Sequence, residues 1–112
     1  MRQCTTAVLE QGNTFEADFE TEPFEAGWAS RARWFVRVLD ASGDGLELEM
    51  EPQVSPDGLI WCGFTGSQVA RAPLPPLLTF TTTDHGNWLR LAVRLRGHAP
   101  RVKVVIYLVL NE

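Results

Sequence analysis

The chain is short of the residues that usually announce a chemistry. It has two cysteines, Cys4 and Cys62, and no Cys-x-x-Cys spacing. A disulfide framework in a small secreted chain needs about four cysteines, and a cysteine zinc site needs the paired spacing. Two free thiols are therefore expected, with Cys62 in the core because it sits in the apolar run Leu59-Ile60-Trp61-Cys62-Gly63-Phe64. Long hydrophobic runs are missing too. The longest, residues 104–110, has strand length, far below the ~18 residues of a spanning helix. No apolar stretch follows Met1-Arg2-Gln3-Cys4, so no signal peptide is visible. The expected location is the cytoplasm, or a particle assembled there, with no membrane partner. Positive charge is in deficit, at net −4, whereas a generic nucleic-acid binder carries an excess; no nucleic acid is expected. No phosphate-binding glycine loop, nucleophile elbow or 3.6-residue apolar stripe of helical length is present.

What is there is one domain's worth of chain, with 112 residues, 45% hydrophobic and 21% charged, close to the soluble globular average. The charge is unevenly placed. Residues 1–57 hold twelve acids and four bases, net −8, and residues 58–112 hold two acids and six bases, net +4. Either the halves neutralise each other within one fold, or acidic and basic faces of neighbouring subunits meet. Nine of the ten bases are Arg, a bias that a GC-rich bacterial genome also produces.

The hydrophobic period is two almost everywhere. Leu46, Leu48 and Met50 alternate with Glu47, Glu49 and Glu51; Leu89, Leu91, Val93 and Leu95 alternate with Arg90, Ala92, Arg94 and Arg96. Such runs are half-buried strands, one face in and one face out. Strands are expected near 4–9, 14–20, 31–40, 45–51, 58–63, 67–71, 77–83, 87–96 and 101–110. Ser42-Gly43-Asp44-Gly45, Ser55-Pro56-Asp57-Gly58, Asp84-His85-Gly86-Asn87 and Gly97-His98-Ala99-Pro100 read as the turns between them. Pro73-Leu74-Pro75-Pro76 cannot join a central ladder and reads as a crossing connection or an edge. The last strand is apolar on both faces and should be central or covered. The fold class is all-β: a single antiparallel β-sandwich, jelly-roll-like, of about 8–9 short strands with one core between two sheets. Residues 1–112 form one domain, with 1–30 as either an extended N-terminal arm or edge strands.

The run Ser55-Pro56-Asp57-Gly58-Leu59-Ile60-Trp61 has the form Ser-x-Asp-Gly-x-x-Trp, and Leu89 to Leu95 has the form Leu-Arg-Leu-x-Val-x-Leu. With the closing strand from Val102 to Leu110, these resemble small jelly-roll-like β-sandwich proteins of phage and bacterial structural gene clusters. The Ser-Asp-Gly turn and Trp also occur in discoidin-type sugar- or lipid-binding sandwiches. The resemblance spans residues 34–110. It implies a fold and carries no catalytic residue.

Asp40, Ser42, Asp44 and Glu51 match the spacing of a twelve-residue calcium loop. That loop needs flanking helices, and here it lies between two period-two runs, so a Gly-rich β-turn and no metal are expected. His85 and His98 each sit beside Gly and read as polar residues in exposed turns. No serine or cysteine has a base and an orienting group at motif spacing, so neither an enzyme nor a cofactor is expected.

Four tryptophans remain. Trp34 and Trp61 read as core. Trp88 points outward on the Arg90 and Arg94 face, and Trp28 precedes a strand. Outward aromatics beside Arg are typical of partner interfaces. The interface candidates are Trp28, Trp88, Arg90, Arg94, Arg96, Glu47, Glu49 and Glu51, with Val105 and Val109 as apolar outer positions. If the Glu and Arg rows are neighbours in one sheet, they pair across the ladder; if not, each is a one-sign patch favouring head-to-tail contacts. The sequence thus reads as a non-enzymatic structural protein that self-associates into a ring, shell or filament, as a homo-oligomer or with other structural proteins. The alternative is a carbohydrate- or ligand-binding β-sandwich module.

Overall fold

The computed structural model describes residues 2–64 and 66–112. They form eight strands: β1 (Cys4–Phe15), β2 (Phe19–Glu20), β3 (Phe24–Glu25), β4 (Arg31–Ser55), β5 (Cys62–Gly63), β6 (Gln68–Arg71), β7 (Leu77–Thr83) and β8 (Trp88–Asn111). All pairings are antiparallel. The sandwich is built from one sheet folded over, where two separate sheets were expected.

Two long strands make the fold. β4 and β8 pair along their whole length, from Arg31 opposite Asn111 to Ser55 opposite Trp88. Near their middles both bend, and the register shifts between Val38 and Glu47. The bend divides the sheet into two leaves. In leaf one, residues 101–111 of β8 and 31–42 of β4 are flanked by β1 and β7. In leaf two, residues 88–96 of β8 and 47–55 of β4 are flanked by β2 and β3 on one side and by β5 and β6 on the other. Residues 1–30 thus supply edge strands from Cys4 onward.

The predicted turns at Ser42–Gly45 and Gly97–Pro100 are not hairpins. Each lies inside a continuous strand, because Ser42 still pairs with Arg101 and Asp44 with His98. Their glycines serve the bend instead. A Cβ on Gly97 (φ +114°) would sit 2.6 Å from the Asp44 carbonyl oxygen, and one on Gly43 (φ +127°) would sit 3.0 Å from the Pro100 Cα. Only residues without a side chain let the two backbones approach this closely.

The inward rows follow the period-two reading. Trp34, Val36, Val104, Ile106 and Leu108 of leaf one and Leu48, Met50, Leu89, Leu91 and Val93 of leaf two are buried in a single cluster. β8 is central, between β1 and β4, and the apolar residues of its outer row, Val105, Tyr107 and Val109, are half-buried. The indole of Trp34 is fully buried, and its Nε1–H donates to Thr82 Oγ1 at 3.0 Å. Residues 72–76 carry the chain from β6 on leaf two to β7 on leaf one, the expected crossing.

Three side chains depart from expectation. Cys62 is exposed, not core, and Trp61 is only half-buried. The expected strand 58–63 is mostly loop, because Asp57 Oδ1 accepts from the backbone N–H groups of Leu59 (2.9 Å) and Ile60 (3.3 Å). Those donors are withdrawn from any ladder. His85, expected in an exposed turn, is buried at 5% exposure, whereas His98 is exposed.

Candidate functional site

The outer face of leaf two carries most of the residues singled out from the sequence. Its Glu and Arg rows are neighbours in one sheet: Glu47 lies opposite Arg96, Glu49 opposite Arg94 and Gln53 opposite Arg90. Glu49 holds two guanidiniums, with Arg94 Nη1 at 3.0 Å and Arg96 Nη2 at 2.9 Å. The Arg96 hydrogen bond in particular keeps the Glu49 carboxyl below the usual carboxylate range, with help from Arg94. Glu47 pairs with Arg71 at 3.2 Å. Glu51 accepts from the Gln53 amide at 2.9 Å, and Arg90 Nε donates to Gln53 Oε1 at 2.7 Å while stacking over Trp61 at 4.5 Å. Of the two arrangements the sequence left open, the fold contains the cross-strand one. The rows neutralise each other and leave no broad one-sign patch.

Trp88 lies on this same face, opposite Ser55 and Glu25. It is half-buried because the turn from Ser55 folds over it, and a Cβ on Gly58 (φ +80°) would meet the indole at 3.4 Å. The turn is internally satisfied. Ser55 Oγ donates to Asp57 Oδ1 and accepts from the Gly58 N–H. The Leu59 and Ile60 N–H bonds, with that from Ser55, depress the Asp57 carboxyl. The result is a fixed turn that holds Leu59 (81% exposed) and Ile60 (76%) out in solvent.

The outer face of leaf one is chemically different. Arg31, Arg33 and Arg37 of β4 and Lys103 of β8 point outward around Phe35, Tyr107, Val105 and Val109. Val8 of β1 and Leu77 of β7 extend the apolar strip and are about half exposed. Arg33 Nη1 donates to Thr79 Oγ1 at 3.0 Å. Among the described residues, none of these four cations forms an ion pair; the pairs found all lie on leaf two. Sequence reasoning singled out Val105 and Val109 on this face but missed its cations. The Arg31, Arg33, Arg37 row was visible, but its adjacency to Tyr107 and Lys103 depends on pairing between distant segments.

The converse feature is acidic. Glu16, Asp18, Glu20, Glu22 and Glu25 are exposed along the β2–β3 edge of leaf two, a stretch with no basic residue. Trp28, just beyond it, is 38% exposed. Thr21 anchors this edge: its N–H donates to the Leu91 carbonyl and its Oγ1 accepts from the Leu91 N–H, both at 2.9 Å.

The calcium-loop residues are not gathered. Asp40, Ser42 and Asp44 lie at the bend, and Glu51 stands on leaf two facing Gln53. Among the described residues, no three His, Cys, Asp or Glu side chains converge to hold a metal ion. One cleft of about 410 Å³ opens between Val54, Pro56, Cys62, His85 and Asn87. His85 Nδ1–H donates to its neighbour Gly86's carbonyl at 2.9 Å, and its buried Nε2 has no partner.

No family model matches the chain, and no curated protein sequence matches it. The class its fold defines is all-β, an open antiparallel sheet, eight strands among the described residues, folded over one core. Solved structures share that fold, two of them phage-derived. The PBSX exported protein XepA superposes with a TM-score of 0.61 at 12% identity, over 95% of this chain and 36% of its own. The SPBc2 prophage-derived protein YomS superposes at 0.52 with 10% identity, over 100% of this chain and 96% of its own. Dimeric latent PorU from Porphyromonas gingivalis superposes at 0.57 with 13% identity, over 99% of this chain and 13% of its own. The chain thus spans about a third of XepA and a smaller part of PorU, and at these identities the likeness is one of fold.

Proposed function

We propose that the chain is a non-enzymatic structural protein that self-associates into a ring, shell or filament, in a phage-related particle. The observation that supports this best is the outer face of leaf one. A sheet face with exposed aliphatics, two aromatics and a row of arginines has the composition of a partner interface. The phage-derived fold neighbours agree with a structural role. Light scattering at low salt and high micromolar concentration tests it. The expected result is a mass several times 12.5 kDa; a monomer under those conditions overturns the reading.

A second reading, a ligand-binding module, has the cleft beside His85 in its favour. Pockets that bind small molecules are largely apolar with a few convergent polar groups, and here Val54 and Pro56 line the cleft together with His85, whose buried Nε2 has no partner. A monomeric protein that binds a sugar at this cleft would support it.

A further inference from the structure

We infer that the self-associating contact is head-to-tail, the basic outer face of leaf one in one copy receiving the acidic β2–β3 edge of the next. This rests on the self-association proposed above and specifies its surfaces.

Two observations carry it, and they are complementary in sign. The leaf-one face presents Arg31, Arg33, Arg37 and Lys103, none of them in an ion pair among the described residues, with Asp40 opposite Lys103 as the acid in these ladder rows. The β2–β3 segment presents five exposed acids and no base, of which Asp18 already accepts the Leu95 N–H at 2.8 Å and the other four are free of hydrogen bonds among the described residues. The two surfaces cannot satisfy each other inside one molecule. Glu20 lies opposite Ala92 and Glu25 opposite Trp88, so both side chains face outward from leaf two. The Arg row faces outward from leaf one, and the buried core lies between the leaves. Only a second copy can bring these charges together.

The arrangement has a direction. Basic and acidic surfaces stand on opposite sides of the molecule and differ from each other, so the contact is heterologous. Such contacts close into rings if the rotation permits and run on as filaments if it does not. Charge alone would be screened beyond ~8–10 Å at physiological salt. The apolar centre is supplied by Phe35 and Tyr107 on the basic side and by Trp28 beside the acidic one. An indole against a guanidinium-rich face is a favourable pairing in its own right. Glu49, Arg94 and Arg96 of leaf two play no part, because they are paired within the fold.

The test uses two charge-reversed variants of the full chain, Arg33→Glu with Arg37→Glu, and Glu20→Lys with Glu25→Lys. All four side chains are exposed, so both variants should keep the wild-type far-UV circular dichroism. Each variant alone is expected to run as a monomer, its dissociation constant raised at least about tenfold by like charges meeting. Mixed in equal amounts they should regain mass, because each reversed surface then meets an opposite one. Neutral variants, Arg33→Gln with Arg37→Gln, provide the same reading should a reversed pair fail to fold; they should weaken association and remove most of its salt dependence. An oligomeric wild type whose mass is unchanged in the variants overturns these surfaces while leaving self-association standing. So does a mixture that stays monomeric. A monomeric wild type overturns both.

Discussion

Replacing Thr82 by Val isolates one buried interaction. Thr82 on β7 is 1% exposed and accepts the indole N–H of Trp34, itself 0% exposed, at 3.0 Å. The substitution keeps the shape of the side chain and removes the acceptor. The indole N–H is then stranded where no water reaches it, which costs about 1–3 kcal/mol. The added methyl returns at most about 0.8 kcal/mol through burial. A net loss of about 0.2–2 kcal/mol, about 1 at the centre of the range, should lower the melting temperature by roughly 5 °C in a domain of this size. Urea unfolding followed by far-UV circular dichroism gives the free energy directly. Thr82→Ser keeps the oxygen and should cost about 1 kcal/mol, the value of the lost methyl. The decisive measurement is the double-mutant cycle with Trp34→Phe, which deletes the donor. Thr82→Val made on that background should be neutral or stabilising. If it costs as much as in the wild type, the hydroxyl does not act through the indole and the reasoning is refuted.

Two further outcomes follow from the bend and the fixed turn. Gly97→Ala should destabilise by more than about 2 kcal/mol, because its Cβ meets two backbone carbonyls at a positive φ; Gly45→Ala, with φ +65° and open space around it, should cost about 1–2 kcal/mol. Equal urea midpoints for the two would show that the close crossing at Gly97 is not needed. The depressed Asp57 carboxyl contributes stability that is present above the ordinary carboxylate range and lost as pH falls through its lowered folded value. The melting-temperature gap between wild type and Asp57→Asn should therefore be constant near neutrality and narrow below about pH 4; parallel profiles down to pH 2 would contradict the assignment.

The strand content and the inward rows were legible because alternation is a local property. Trp34, Val36, Leu48, Leu91, Val104 and Ile106 could be assigned to a core from parity alone, and they are buried. What local pattern cannot report is whether a positive-φ glycine reverses a strand or bends it. Ser42–Gly45 has the composition of a hairpin turn, yet β8 passes alongside and keeps pairing on both sides of it. The error at Cys62 has a different origin. An apolar run beside a turn looks like a strand, but the Asp57 side chain had already claimed the N–H groups of Leu59 and Ile60. For the surfaces, seven of the eight interface candidates, all but Trp28, lay along the rows that period two makes conspicuous. Whether those rows neutralise each other depends on sheet order, which a single sequence does not reveal.

The shared length of β4 and β8 has a consequence for how the molecule comes apart. Both leaves hang on the same two strands, so neither can melt while the other keeps its partner strands in register. Unfolding should be all-or-none, with slowly exchanging amides on both leaves protected to the same free energy. Assembly of the fold bears the corresponding burden. Arg31 must find Asn111 and Ser55 must find Trp88 across long stretches of chain, and such distant pairings make folding slow. During that interval the edges of β4 and β8 are bare, and newly made chains are most prone to pair with one another before β1 and β7 arrive to cover them.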